Sequence, residues 1–140
     1  MSMTQTLAPH LPYLRRYARA LTGSQASGDA HVRAALQALL EGDESLTEGV
    51  SPRVGLYRLF HAIWQSGAEH FDDSDTGKGP ESRLKALSAS KRAALLLTAV
   101  EAFSPEETAF IVDESPEEVE AAILDAQKRS EEHTSELQSQ

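Results

Sequence analysis

The sequence contains no cysteine among its 140 residues. Disulfide bonds, thiolate metal ligands and cysteine nucleophiles are therefore excluded, and the composition suits a reducing compartment. Long apolar runs are also missing, because the longest one, residues 93–99, is far shorter than the roughly 20 residues that a membrane-spanning helix needs. The N-terminus, residues 1–8, lacks the basic start and apolar stretch of a secretory signal. We therefore expect a cytoplasmic protein without a membrane segment.

The second half of the chain carries an excess of acidic residues. Residues 72–129 hold seven Lys and Arg against thirteen Asp and Glu, whereas residues 1–71 hold six of each, and the whole chain carries a net charge of −9. Affinity for nucleic acid depends on basic side chains that displace counterions from phosphates. The second half should therefore repel DNA and attract a basic partner.

Apolar spacing predicts an all-α fold with two small helical subdomains. Residues 1–71 form the first subdomain, with three predicted helices: His10 to Leu21, then a helix capped by Asp29 that runs to about Leu40, then Pro52 to about Phe71. Glycines at positions 23 and 42 are expected to end the first two helices, and Ser51 is expected to cap the third. We interpret Trp64 and Phe60 on this third helix as core residues rather than as contacts with a partner.

Residues 72–80 (DDSDTGKGP) contain no apolar side chain and are predicted to be a linker. The second subdomain, residues 81–128, should begin with a short helix over 81–87. A further helix follows, capped by Ser90, with Ala93, Leu96, Leu97 and Val100 facing inward and Phe103 at its end.

Two copies of the pattern Ser-Pro-Glu-Glu follow, at 104–107 and 115–118. Each combines a serine cap, proline in the first turn and acids near the positive end of the helix dipole. They predict a short helix from Pro105 to about Val112 and a longer one from Pro116 to about Lys128, which is the outline of a helix-turn-helix. Residues 129–140 are polar and aperiodic, and we interpret them as a non-native tail derived from sequencing-adapter read-through.

This helix-turn-helix lacks the side chains that read DNA. Residues 104–126 contain eight acids and no Lys or Arg, and the exposed face of the second helix is expected to present Glu117, Glu120, Ala121 and Asp125. Readers of the major groove need basic and amide groups at such positions. We therefore expect no direct DNA binding.

Three segments carry a resemblance to a known family: residues 8–42, residues 51–64 and residues 95–126, which ends in FSPEETAFIVDESPEEVEAAILDA. Together they resemble the sigma-factor-like domain of the PhyR-type general-stress response regulators of alphaproteobacteria. The resemblance covers residues 3–128 and implies that the two subdomains correspond to sigma factor regions 2 and 4.

The resemblance implies an anti-anti-sigma function. In that family the domain mimics a sigma factor of the extracytoplasmic-function class and sequesters its anti-sigma factor, NepR, while a C-terminal receiver domain masks it until phosphorylation. This sequence shows no strand-helix alternation and no phosphoacceptor aspartate in a receiver context. We therefore expect the chain to bind a NepR-like partner without phosphorylation.

The partner is expected to lay amphipathic helices in the groove between the subdomains, with apolar anchors surrounded by a rim of acids. The candidate anchors are Leu59, Ile63, Leu96, Phe103, Phe110 and Ile123, and the candidate rim residues are Glu106, Glu107, Glu117 and Glu120.

Other functions remain open at this point. The chain could be a divergent sigma factor that binds core polymerase and promoter DNA, or an unrelated helical interaction domain. An enzyme is not expected, and neither is a metal or cofactor, because the histidines are scattered along the chain and no two have the three- or four-residue spacing of metal ligands on one helix face. The cluster of Arg15, Arg16 and Arg19 could touch nucleic acid, but pairing with the acidic subdomain or with an acidic partner is the favoured interpretation.

Overall fold

All described elements are helical, as the apolar spacing predicts. The computed structural model describes residues 3–71 and 89–138, and side chains within 3–66 and 90–128. The predicted linker 72–80 and the predicted helix 81–87 lie outside the described residues. The elements are α1 (Met3–Leu7), a 3₁₀ turn (Ala8–His10), α2 (Leu11–Thr22), α3 (Gln25–Glu41), α4 (Pro52–Phe71), α5 (Ala89–Leu95), a π-helical turn (Leu96–Val100), α6 (Pro105–Val112) and α7 (Pro116–Gln138).

Glycines end α2 and α3, as predicted. Gly23 and Gly42 follow the two helices with φ angles of 75° and 80°, in the left-handed region that glycine adopts without a steric penalty. The bounds of α4 are confirmed as well, and the Ser51 hydroxyl accepts a hydrogen bond from the N–H of Val54 at 3.2 Å.

The predicted cap of α3 is wrong. Ser24, not Asp29, caps this helix, since its hydroxyl accepts the N–H of Ser27 at 3.1 Å. Ser24 directly follows the glycine that ends α2, so the chain reverses within two residues and α3 begins one turn earlier than predicted. Asp29 instead binds Arg19 of α2 through two hydrogen bonds of 2.9 and 3.0 Å. The short helix α1 was not predicted either.

Both ends of α5 differ from the prediction. At the start, Ser90 lies inside the helix rather than at its cap. The helix ends in a π-helical turn, in which the N–H of Glu101 donates to the carbonyl of Leu96 at 3.0 Å. As a result Val100, predicted to face inward, is 51% exposed, whereas Glu101 is buried.

Both Ser-Pro-Glu-Glu segments start helices as predicted, at Pro105 and Pro116. However, α7 continues to Gln138, beyond the predicted end near Lys128. A helical backbone over 129–138 does not test the origin of these residues, so the non-native tail remains a prediction.

One apolar core extends through both halves of the chain. Leu14, Tyr17 and Phe60 from the first half and Leu97 and Ile111 from the second are all fully buried. The halves meet where α4 packs on α6 and where α2 packs on α5 and its π-helical turn.

A glycine sets the spacing between α2 and α3. A Cβ atom at Gly28 would lie 2.7 Å from the backbone nitrogen of Arg19 and 2.8 Å from the carbonyl carbon of Ala18. Gly55 in α4 has more room, because its Cβ would meet the Leu46 side chain at 3.6 Å, an ordinary van der Waals contact.

We therefore expect Gly28→Ala and Gly55→Ala to act in opposite directions. The first should lower the free energy of unfolding by about 1–3 kcal/mol or more, since two backbones must separate. The second should leave it unchanged or raise it by up to about 1 kcal/mol, because alanine is the better helix former. Urea unfolding of both variants measures this, and equal effects of the two changes would contradict the close α2–α3 contact.

Candidate protein-binding site

Two capping boxes fix the helix-turn-helix formed by α6 and α7. Ser104 Oγ accepts the N–H of Glu107 at 3.0 Å, and the Glu107 carboxylate accepts the N–H of Ser104 at 2.9 Å. Ser115 and Glu118 repeat this exchange at 3.1 and 3.4 Å. Between the helices, Asp113 ends α6 with a left-handed φ of 60°. The start of each helix and the turn between them are thus set by local hydrogen bonds.

The outer face of α7 combines acids with one large apolar side chain. Glu117, Glu120 and Ala121 are exposed, and Leu124, one turn further along, is 66% exposed. Val119 faces the core on the opposite side of the helix. This face, which would enter the major groove in a DNA-binding helix-turn-helix, presents Glu117 and Glu120 in its first turns and the apolar side chain of Leu124 one turn beyond them.

Asp125 does not belong to this face, contrary to the prediction. It is half-buried and forms an ion pair with Lys91 of α5 at 2.5 Å. The pair joins α5 to α7 within the second half.

The four predicted rim acids are all exposed, but one of them also has a local structural role. Glu106, Glu117 and Glu120 lie on the surface of α6 and α7. The carboxylate of Glu107 is engaged in the capping box of α6. A change of Glu107 would therefore alter helix stability together with surface charge.

The predicted apolar anchors fall into two groups. Leu59 and Phe103 are 6% and 5% exposed, so in this arrangement they support the surface from inside. The other four pack against the core while part of each side chain remains accessible, and they are Ile63, Leu96, Phe110 and Ile123. Their role as partner contacts remains a prediction.

A buried carboxylate, which the sequence interpretation missed, joins the two halves. The side chain of Glu101 has no solvent exposure. Its Oε1 atom accepts the hydroxyl proton of Tyr57 at 2.6 Å, and its Oε2 atom accepts an N–H of Arg16 at 2.7 Å. Burial and the neighbouring carboxylate raise the pKa of Tyr57, so the phenol keeps its proton and donates it. The hydrogen bond to Glu101 likewise raises the pKa of Arg16.

Two arginines of α4 strengthen the same interface. Arg53 donates to the carbonyl oxygen of Glu101 at 2.7 Å, and its guanidinium carbon lies 4.0 Å from the ring centre of Phe103. Arg58 donates to the carbonyl oxygen of Phe110 and stacks on that ring at 4.2 Å. Each arginine thus combines a hydrogen bond with a cation–π contact to the second half.

The interpretation of the basic cluster on α2 is confirmed for one of its members. Arg16 pairs with the acidic half through Glu101, whereas Arg19 pairs with Asp29 inside the first half. Arg15 is exposed. The signal that could have identified Glu101 is its position, since it is an isolated acid directly after an apolar stretch.

At the other end of the interface the packing is less complete. A cavity of about 300 Å³ lies between α4, α5 and the α6–α7 turn, lined by Trp64, Ala93, Val112 and Glu114 among others. Burial raises the pKa of the Glu114 carboxyl.

His61 also borders this cavity and is 2% exposed. Its Nε2 atom lies 2.5 Å from the hydroxyl of Tyr17, within the core. Burial lowers the pKa of His61 from 6.5 to about 3, so the imidazole is neutral in the folded protein.

The described residues offer neither a metal-binding cluster nor a membrane-spanning helix. Within 3–71 and 89–138, no three His, Asp or Glu side chains come together in an arrangement that could hold a metal ion. None of the helices described there is both long enough and apolar enough to cross a bilayer.

Comparison with known proteins places this helical arrangement in a family. The family described as the Sigma2 domain of PhyR matches residues 7–61, and that described as the sigma-like domain of the response regulator PhyR matches residues 84–131. The chain belongs to the PhyR family. The two matches correspond to the two halves described above, and the sequence-based resemblance is confirmed.

Three relatives illustrate the match. The phyllosphere-induced regulator PhyR of Methylorubrum extorquens is 43% identical over 115 residues, which make up 81% of this chain and 43% of that protein. The structure of a PhyR stress response regulator is 52% identical, with a TM-score of 0.73, and the match covers 92% of this chain and 50% of that one. The PhyRSL–NepR complex from Sphingomonas sp. Fr1 is 43% identical, with a TM-score of 0.76, and the match covers 94% and 88%. This chain thus spans half or less of the first two relatives.

The buried His61 predicts a pH dependence of stability. The unfolded chain binds a proton near pH 6.5, but the folded chain does not until about pH 3, so stability is complete above pH 6.5 and is lost as the pH falls. The loss should approach about 1.4 kcal/mol per pH unit. Urea unfolding between pH 7 and pH 5 measures it, with His61→Gln as the control that should show a flatter profile. Identical profiles for the two proteins would mean that His61 does not titrate in this way.

Proposed function

We propose that this chain is an anti-anti-sigma module, which binds an anti-sigma factor of the NepR type by presenting a sigma-like surface. One observation carries the proposal: α7 keeps the position of a recognition helix but exposes Glu117, Glu120 and Leu124 on its outer face. Phosphates would repel such a face, while a basic amphipathic helix would be attracted to it. The relative from Sphingomonas, in complex with NepR, supports the choice of partner.

The module would act by competition. An anti-sigma factor bound to this chain is no longer available to its sigma factor, which can then bind polymerase. Acids of α6 and α7 would select a basic partner, and the partly accessible apolar side chains Ile63, Leu96, Phe110 and Ile123 would contribute affinity. Leu124, which the sequence interpretation did not include, would be a further contact, because this large apolar side chain is exposed one turn beyond Glu120.

Regulation would come from a receiver domain in the longer protein. The Methylorubrum regulator and the PhyR stress response regulator are about twice the length of this chain, and the family is one of response regulators. A chain without that domain should bind its partner without phosphorylation. Since the partner acts on transcription, we place the module in the cytoplasm, and we assign it a binding role rather than catalysis.

A titration tests the proposal. Calorimetry of the purified chain with NepR from Sphingomonas sp. Fr1 should show a 1:1 complex with a dissociation constant well below about 10 µM. Duplex DNA at physiological salt should show no specific binding by fluorescence anisotropy. Absence of NepR binding in this range, or tight and sequence-selective DNA binding, would contradict the proposal.

Charge reversal on α7 tests the binding face. The double change Glu117→Lys and Glu120→Lys should weaken NepR binding by about tenfold or more, because it replaces attraction by repulsion at the partner's basic side chains. Both side chains are exposed, so the melting temperature should change little. The double change Glu44→Lys and Glu48→Lys, in the exposed loop of the first half, makes the same charge change, and this matched control should bind as the unchanged chain does. A large loss of stability in the double variant would show that these acids are structural.

A further inference from the structure

After α5 the backbone turns so that the side chain of Glu101 lies against the first half of the chain. The π-helical turn ends at Val100, and Ala102 follows with a left-handed φ of 63°. A non-glycine residue rarely adopts this region, so the surrounding contacts must hold the backbone there. The turn places the side chains of Glu101 and Phe103, one on each side of Ala102, against α4.

The contacts of Glu101 are directional. Its two carboxylate oxygens receive donors from different helices, Tyr57 of α4 and Arg16 of α2. A third donor, Arg53 of α4, reaches its backbone carbonyl and lies 3.8 Å from Oε1. Hydrogen bonds of this kind restrict both distance and angle, whereas apolar contacts restrict mainly distance. Rotation of the second half against α2 and α4 would break them together.

The other contacts between the halves are less restrictive. Near Trp64 the two halves leave an open pocket of about 300 Å³ at the surface, so their contact there is incomplete. Arg58 with Phe110 provides a second attachment, but there the hydrogen bond ends on a single backbone carbonyl. Buried ion pairs contribute little net stability, since desolvation offsets their attraction, and their better-supported role is to select one arrangement over others.

We propose that Glu101 is a positioning residue for partner binding, which fixes the orientation of α6 and α7 relative to α2 and α4. A partner that contacts both halves meets one composite surface only while this orientation holds. The inference rests on the proposed function, because that function supplies a partner that spans the two halves. Glu101 would thus affect the affinity for the partner although its buried side chain does not touch the partner.

The variant Glu101→Gln tests this role. Glutamine keeps the size of the side chain, but it removes the charge and turns an amide N–H₂ toward donors that need an acceptor. Glu48→Gln makes the same charge change in the exposed loop between α3 and α4 and is the matched control. Two quantities are measured for the full chain: calorimetric affinity for NepR from Sphingomonas sp. Fr1, and residual dipolar couplings of the free protein, which report the relative orientation of the halves.

We expect Glu101→Gln to weaken NepR binding by about tenfold or more, because only a fraction of the molecules would then hold the orientation that the partner recognises. The residual dipolar couplings should still agree with the structure of each half taken alone. No single relative orientation of the two halves should account for both sets of couplings. Glu48→Gln should match the unchanged chain in both measurements. If Glu101→Gln does not fold, Tyr57→Phe, which removes only one donor, takes its place with the same expectations at smaller amplitude.

Three results would overturn the inference: unchanged affinity, tighter binding, or weaker binding with an unchanged orientation of the halves. A failure of the proposed function is recognised separately, because the unchanged chain would then not bind NepR. In that case the residual dipolar couplings alone test the positioning role of Glu101. If both halves of Glu101→Gln still fit one common orientation, that role is refuted.

Discussion

A carboxylate without access to water must find its partners inside the protein, and those of Glu101 belong to the other half of the chain. This constraint makes the two subdomains one structural unit. It explains why the basic side chain of Arg16 turns toward the second half and why Tyr57 keeps its proton. The uneven charge of the chain, balanced in the first half and acidic in the second, therefore contributes to the contact between the halves as well as to the outer surface.

On that outer surface the acidic side chains oppose DNA binding, although the backbone is that of a helix-turn-helix. A helix-turn-helix backbone can lie in a major groove, but affinity for DNA requires cations, and residues 104–126 contain none. The capping boxes at Ser104 and Ser115 preserve the backbone form. Under the proposed function, a protein that recognises sigma factors by shape would bind this surface, while phosphates would be repelled. Membership of the PhyR family is consistent with this division.

The sequence predicts what depends on local rules and apolar periodicity. Helix ends at Gly23 and Gly42, helix starts at Pro105 and Pro116 and the bounds of α4 all follow from such rules, and the structure confirms them. The cap at Ser24 was missed, because Asp29 is an equally good capping residue until its bond to Arg19 is known. The exposure of Val100 and the burial of Glu101 depend on a π-helical turn, which periodicity of 3.6 residues cannot predict. Periodicity also did not separate the buried Leu59 and Phe103 from side chains on an outer face.

Reconstituted transcription tests the central claim most directly. A sigma factor inhibited by NepR is combined with core polymerase and its promoter, and this chain is then added in increasing amounts. The account predicts that run-off transcript returns in proportion to the added chain, and that the chain with core polymerase alone yields none. Transcript from the chain and core polymerase alone, or continued inhibition at excess of the chain, would contradict a module that acts on the anti-sigma factor.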